Sequence, residues 1–257
     1  VTSRGDTERQ AFLRDRMAES GEELNTSRYV SRVKDLLRKK IGMRVLDIGC
    51  GTAHIIGSLA ISERSATLVG LDISSAMLRA AKANTCELTN VILIQGDGLT
   101  IPFSNQSFDL AITRLAEYSH DEAFRVTRVG GTLLECGLGP DADKEIAECF
   151  GERIDRENFF FPRRRHRWME EVSENVEKAG FHVEAIHEYT EKDTYRSEEE
   201  LMDLIEMVPL VTDFDRESDR EIVSAISRKY GDRNGIRITW HYYVLEASRP
   251  ARSTVVP

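Results

Sequence analysis

The stretch Val45-Leu46-Asp47-Ile48-Gly49-Cys50-Gly51 constrains this chain more than any other. Three apolar residues around one acid make a run too apolar for a half-exposed strand, and two glycines spaced by one residue end it at once. Glycine there lets the backbone turn sharply and approach whatever lies beyond the strand. Such a corner belongs to a buried parallel strand of an α/β fold, with ligand-facing backbone at its carboxyl end.

The rest of the sequence repeats that alternation. Residues 66–74, 90–98, 108–114 and 130–138 read as four further strands, the last entered through a Gly130-Gly131 turn. Tyr29, Val33, Leu36 and Leu37 mark a helix that ends before Gly42, residues 55–60 form another, and Ser74 caps a third through residue 84. Farther on come a helix over 168–179 stopped by Gly180, a strand at 181–189 and a last strand at 236–250. Between those two strands, a helix opens on the capping-box spacing Ser197 to Glu200 and ends at Pro209, and a charged helix follows around 217–229. The expected fold is α/β: a Rossmann-like, seven-stranded, mostly parallel sheet with helices on both faces and a small helical cap before the last strand. A single domain over 1–257 is expected, with an N-terminal helical segment 1–40, a core 41–195, a cap 196–235 and the last strand 236–250.

A net charge of -9 argues against a general polyanion binder, since nucleic-acid affinity rests on neutralised phosphates. The local exception is FPRRRHRW at 161–168, flanked on both sides by acids. No apolar run approaches the roughly 18 residues of a membrane span, and no stretch reads as a leader peptide. Cys50, Cys86, Cys136 and Cys149 show neither C-x-x-C spacing nor zinc-spaced histidines. They read as reduced thiols of a cytoplasmic protein, and no metal is expected. The sequence is compatible with a homodimer and does not set the oligomeric state.

A dinucleotide-binding corner needs a third glycine, and His54 stands in its place, which disfavours a nicotinamide dehydrogenase. The spacing is instead Asp47-x-Gly49-x-Gly51-x-Ala53, which resembles motif I of the class I S-adenosylmethionine-dependent methyltransferases. Asp72 in LVGLDIS matches the family's acid at the end of the second strand, and Asp97 in QGDGLTIPF the acid after the third. FSNQSFDLAI and EAFRVTRVGGTLL resemble its fourth strand, next helix and Gly-Gly turn. The resemblance runs motif by motif over about residues 40–140 and by strand order beyond, and it is to type 11-like, uncharacterised members.

The resemblance implies S-adenosyl-L-methionine as cofactor, held by Asp47, Gly49, Cys50, Gly51, Asp72, Ile73, Met77, Asp97, Gly98, Leu99 and Thr113. Backbone at Gly49 and Gly51 would pair with the methionyl end, where a side chain would stand in the way. An ionised Asp72 is acceptor-only and suits two ribose hydroxyls. Asp97 and the Gly98 amide would meet the adenine edge, with Ile73, Met77 and Leu99 against its faces. Asp47 would organise the turn from beneath.

Arg114, Glu117, Tyr118 and His120 are the catalytic candidates. Methyl transfer is an in-line displacement that needs alignment and, for a protonated acceptor, a base such as His120. Simpler roles stand beside these: Arg114 paired with Glu117, His120 as a solvated turn residue, His54 as a helix-start residue. The segment lacks the Asn-Pro-Pro-Tyr or Asp-Pro-Pro-Tyr pattern of amino- or base-methylating members. It resembles a subset in which Arg114, Glu117, Tyr118, Pro209 and Phe214 find counterparts. Met202, Ile205, Met207, Val208 and Phe214 of the cap either pack onto the domain or line an apolar pocket. Three functions stay open at this point: a methyltransferase acting on a small-molecule acceptor, an RNA (rRNA or tRNA) methyltransferase using the 163–167 arginine strip, and a non-catalytic binding module that keeps the cofactor fold.

Overall fold

The computed structural model describes residues 7–19, 27–155, 167–208 and 210–251. Five parallel strands carry the ligand-facing edge: β1 Arg44–Ile48, β2 Thr67–Asp72, β3 Val91–Gln95, β4 Phe108–Arg114 and β5 Thr127–Leu138. Beyond them lie β6 His182–Tyr195, the two-residue β7 Gly231–Asp232 and β8 Gly235–Ser248. The order is β3-β2-β1-β4-β5-β8-β6, with β8 antiparallel to both of its neighbours. The eighth strand, beyond the seven expected, is a hairpin arm: β7 folds back on β8 around a turn in which Asp232 accepts from the Asn234 amide at 2.7 Å.

Helices cover both faces, which is why β1, β2 and β4 are buried almost end to end. On one face, α2 Ser27–Leu37 and α3 His54–Ser62 pack Tyr29, Val33, Ile56 and Leu59 against Val45, Leu110 and Leu134. On the other, α5 His120–Val126 and α7 Trp168–Lys178 pack Ala123, Val126, Trp168 and Val176 against Leu46, Ala111 and Leu133. A third core lies beyond the sheet, where α6 Lys144–Phe150, α8 Glu198–Met207 and α9 Arg220–Tyr230 gather around Tyr195, Ile236 and Ile238.

Three elements differ from the sequence reading. Strand β6 runs on to Tyr195 instead of stopping at Tyr189, because its polar stretch pairs with β8 as far as Tyr195↔Ile236. Gly130 and Gly131 sit inside β5 and not before it. They form an irregularity at which pairing with β4 jumps from Phe108↔Thr127 to Leu110↔Thr132, with Gly130 at φ 75°. The N-terminal segment holds a separate helix, α1 Glu8–Glu19, ahead of α2. Between β2 and β3, α4 Ser75–Asn84 is capped by Ser74 as expected, its Oγ accepting from the Met77 amide at 3.2 Å.

Candidate functional site

The carboxyl end of β1 turns through three left-handed residues in alternation, Gly49 at φ 76°, Gly51 at φ 55° and Ala53 at φ 65°. That alternation explains the D-x-G-x-G-x-A spacing: every second position needs a conformation that side chains resist, and alanine is the smallest that can be forced into it. At Gly49 a Cβ would also lie 2.2 Å from the Cβ of Ala116, in the loop after β4. At Gly51 nothing lies within 4 Å of that position, so its backbone faces open space. His54 opens α3 and bonds Asp15 of α1 at 2.8 Å, a helix-start role. Cys50 lies against β2: a Cβ on Gly70 would meet its Sγ at 2.8 Å.

Asp72 closes this turn from the next strand. One carboxylate oxygen accepts from the Gly51 amide at 2.7 Å and the other from the Ser74 amide at 2.9 Å. A carboxylate has about four acceptor sites, so beyond these two amides and the adjacent Ile73 amide it keeps capacity for a ligand hydroxyl. Burial pushes the Asp72 carboxyl above its usual range, opposed by those two amides and by the charge of Arg14 on α1. Asp47 is buried beneath the turn, and burial together with Asp72 pushes its carboxyl up to about 7, with Arg114 opposing.

After β3, Asp97 accepts from the Leu99 amide at 2.8 Å, and Leu99 is exposed. A Cβ at Gly98 would strike the Glu117 carbonyl at 2.8 Å, so this loop packs closely on the one after β4. Arg125 of α5 fastens the same loop through the carbonyls of Ile101 and Phe103, at 2.8 and 2.6 Å. Ile73 is half-buried beside Asp72, whereas Met77 is fully buried on α4. Thr113 is buried too, its Oγ1 donating to the Ile48 carbonyl at 3.1 Å, so it braces β1 from inside the sheet.

The four acceptor-side candidates separate. Glu117 is exposed and forms no pair with Arg114. Tyr118 and His120 converge on Glu135, a residue the sequence reading did not select. Buried on β5, Glu135 accepts from the hydroxyls of Tyr118 and Tyr243, each at 2.5 Å, and lies 3.2 Å from His120 Nε2. Burial alone would raise the Glu135 carboxyl, but the hydrogen bonds and charge of His120 and the two tyrosines outweigh it and hold the group below the usual carboxylate range. Glu135 thus holds the His120 ring by its Nε2 side and leaves Nδ1 as the ring nitrogen turned away from the carboxylate.

Helix α1 spans the site from outside. Asp15 holds His54 and Asn84 on the β1–β2 side, while Arg9 pairs with Glu206 of α8 at 3.2 Å and Arg16 with Asp203. Leu13 and Ala11 between these ties are buried. Of the basic strip, residues 161–166 lie outside the described residues, as does Pro209; Arg167 bonds Glu170 at 2.5 Å. Among the described residues, no group of acids, histidines and cysteines could hold a metal, and no helix is long and apolar enough to cross a membrane.

A family model described as a methyltransferase domain matches residues 39–178. A malonyl-[acyl-carrier protein] O-methyltransferase of Coxiella burnetii is 34% identical over 115 residues, 42% of this chain and 38% of that protein. A demethylmenaquinone methyltransferase of Staphylococcus carnosus is 36% identical over 113 residues, 40% of this chain and 46% of that protein. The chain thus spans less than half the length of either relative. Among solved structures, a candidate methyltransferase of Bacillus halodurans superposes with a TM-score of 0.62 at 19% identity, covering 86% of this chain and 99% of that one. A phosphoethanolamine N-methyltransferase of Haemonchus contortus, solved with S-adenosyl-L-methionine, gives a TM-score of 0.51 at 19% identity, covering 82% of this chain and 50% of that one.

Proposed function

The chain belongs to the methyltransferase-domain family, and from that premise we propose that it moves a methyl group from S-adenosylmethionine to a small-molecule acceptor by in-line displacement. The observation that carries this reading is the placement of Asp72, whose two oxygens each hold one turn amide and retain acceptor capacity for ligand hydroxyls. That matches a vicinal diol such as the ribose of a nucleoside. In this reading the backbone of Gly49 to Gly51 takes the methionyl end, and Asp97, Gly98, Leu99 and Ile73 take the adenine. The fit extends to charge, because Asp72 offers a carboxylate to a ligand carrying sulfonium and ammonium groups. The cofactor supplies the activated methyl group. The chain aligns the acceptor, excludes water and, through His120 Nδ1, removes a proton where the acceptor has one to lose.

The same reading assigns 41–195 as the cofactor-binding core and 196–235 as a cap over the acceptor. The relatives support a small-molecule or small acyl acceptor in general and differ in which one: one is named for malonyl-[acyl-carrier protein], the other for demethylmenaquinone. A cytoplasmic setting belongs to the reading as well, supported by four free cysteines. Calorimetry with S-adenosylhomocysteine tests it. Asp72→Ala should weaken binding by about 1.5 to 3 kcal/mol, the range for hydrogen bonds to a charged group. Unchanged affinity would remove the ribose assignment. Tight binding without methyl transfer to any small acceptor would favour the non-catalytic module, and methyl incorporation into RNA would favour the RNA enzyme.

A further inference from the structure

Arg114 ends β4 at the ligand-facing edge and is half-buried, yet it makes no hydrogen bond or ion pair with any described residue, and its Nε is shut away from solvent. Comparably covered arginines elsewhere are matched: Arg125 to Glu122, Arg128 to Asp109, Arg153 to Asp219 and Arg216 to Asp203. The neighbour of Arg114 is instead Trp240 of β8, whose ring centroid lies 5.9 Å from its Cζ. Trp240 Nε1 is likewise buried without a partner. Both side chains lie on the α2 face, since Arg114 alternates with Leu110 and Ile112 and Trp240 with Tyr242 and Val244, and those four residues belong to one core. Two buried N–H donors from different strands, one carrying a full positive charge, are thus placed together with no hydrogen-bonded acid among the described residues, the charge of Arg114 being felt only at a distance by buried Asp47.

We propose that Arg114 and Trp240 form the binding subsite for a carboxylate on the methyl acceptor, an assignment that rests on the methyl-transfer reading for the identity of the ligand. A guanidinium offers parallel N–H groups that fit a planar carboxylate, and the indole N–H adds a third donor beside them. The single cation balances one negative charge. A phosphate dianion would be under-neutralised here, with Asp47 and Asp72 close by. Arg114 itself stands beside the glycine turn, since β4 pairs with β1 as far as Ile48↔Thr113, so it is Trp240, on a strand three places from β1, that turns the pair towards the acceptor and makes the cofactor's own carboxylate the poorer match.

The test titrates acetate, malonate and benzoate, with their matched amides, onto protein saturated with S-adenosylhomocysteine. At least one carboxylate should bind saturably in the millimolar range, about tenfold or more tighter than its amide, as expected for a charge-assisted pair. Arg114→Gln should lose about tenfold or more of that affinity and Trp240→Phe, which keeps the ring and removes the donor, a smaller share. Both variants should bind S-adenosylhomocysteine like the parent, which also shows that they fold. Equal binding of carboxylates and amides, or no saturable carboxylate binding, overturns the subsite. So does loss of S-adenosylhomocysteine affinity in Arg114→Gln, which would give the arginine to the cofactor. If the parent itself fails to bind S-adenosylhomocysteine, the methyl-transfer reading falls, while the carboxylate preference of the cofactor-free protein still decides whether the subsite exists.

Discussion

Asp47 is the residue whose state depends most directly on its surroundings. Burial and the nearby Asp72 put its carboxyl at about 7 in the fold, against an ordinary value of 3.8. The folded chain therefore holds a proton that the unfolded chain gives up, and stability should fall as pH rises from about 4 to about 7, by at most about 1.4 kcal/mol per unit. Asp47→Asn, which stays neutral, should flatten that slope in urea unfolding at a series of pH values; parallel slopes for parent and variant would refute it. The glycines and acids around Asp47 were legible in the sequence because each stands at the end of an apolar run. Glu135 was not, since an acid within Leu133-Leu134-Glu135-Cys136 gives no hint that Tyr243, 108 residues away, donates to it. Arg114 was legible as a residue of interest, but that it hydrogen-bonds no acid among the described residues emerges only when the neighbouring strands are in place.

Among the elements, α1 joins parts that are far apart in the chain, with Asp15 on His54 and Asn84, and Arg9 on Glu206. Arg14, on the same helix, acts on the charge of Asp72, so α1 and the glycine turn are coupled electrostatically through that carboxylate. Hydrogen exchange should accordingly slow in α1 when S-adenosylhomocysteine is bound, and the gain should shrink in Asp15→Ala. Equal exchange with and without ligand would make α1 a fixed part of the scaffold. In the sequence, α1 is hidden by its many charges, because what orders it is a set of ion pairs with α8 and contacts with α3 and α4, all long-range. Strands β1 to β3 needed no such partners to be read, as their apolar runs end at or just before glycine or acid.

At the scale of the molecule, the cap has a core of its own, and Leu201 at its centre is fully buried. Leu201→Ala should cost about 2 to 5 kcal/mol. If that core opens separately from the sheet, amides of α8 and α9 will lose protection while those of β1 and β2 keep theirs and S-adenosylhomocysteine affinity is unchanged. Equal loss across the chain would mean that cap and sheet unfold together. The cap was legible as an interruption between strands; its packing was not, because Ile146, Phe150 and Ile154, outside the interruption, supply part of it. The position of β8 also bears on how the protein is made. Strand β6 leaves the ribosome before the strand it pairs with, which is synthesised only after the whole cap, so throughout that interval a 14-residue strand has no neighbour to accept its hydrogen bonds. Glu184, Glu188, Glu191, Lys192 and Asp193 along it are the kind of charges that keep a waiting edge from joining another nascent chain.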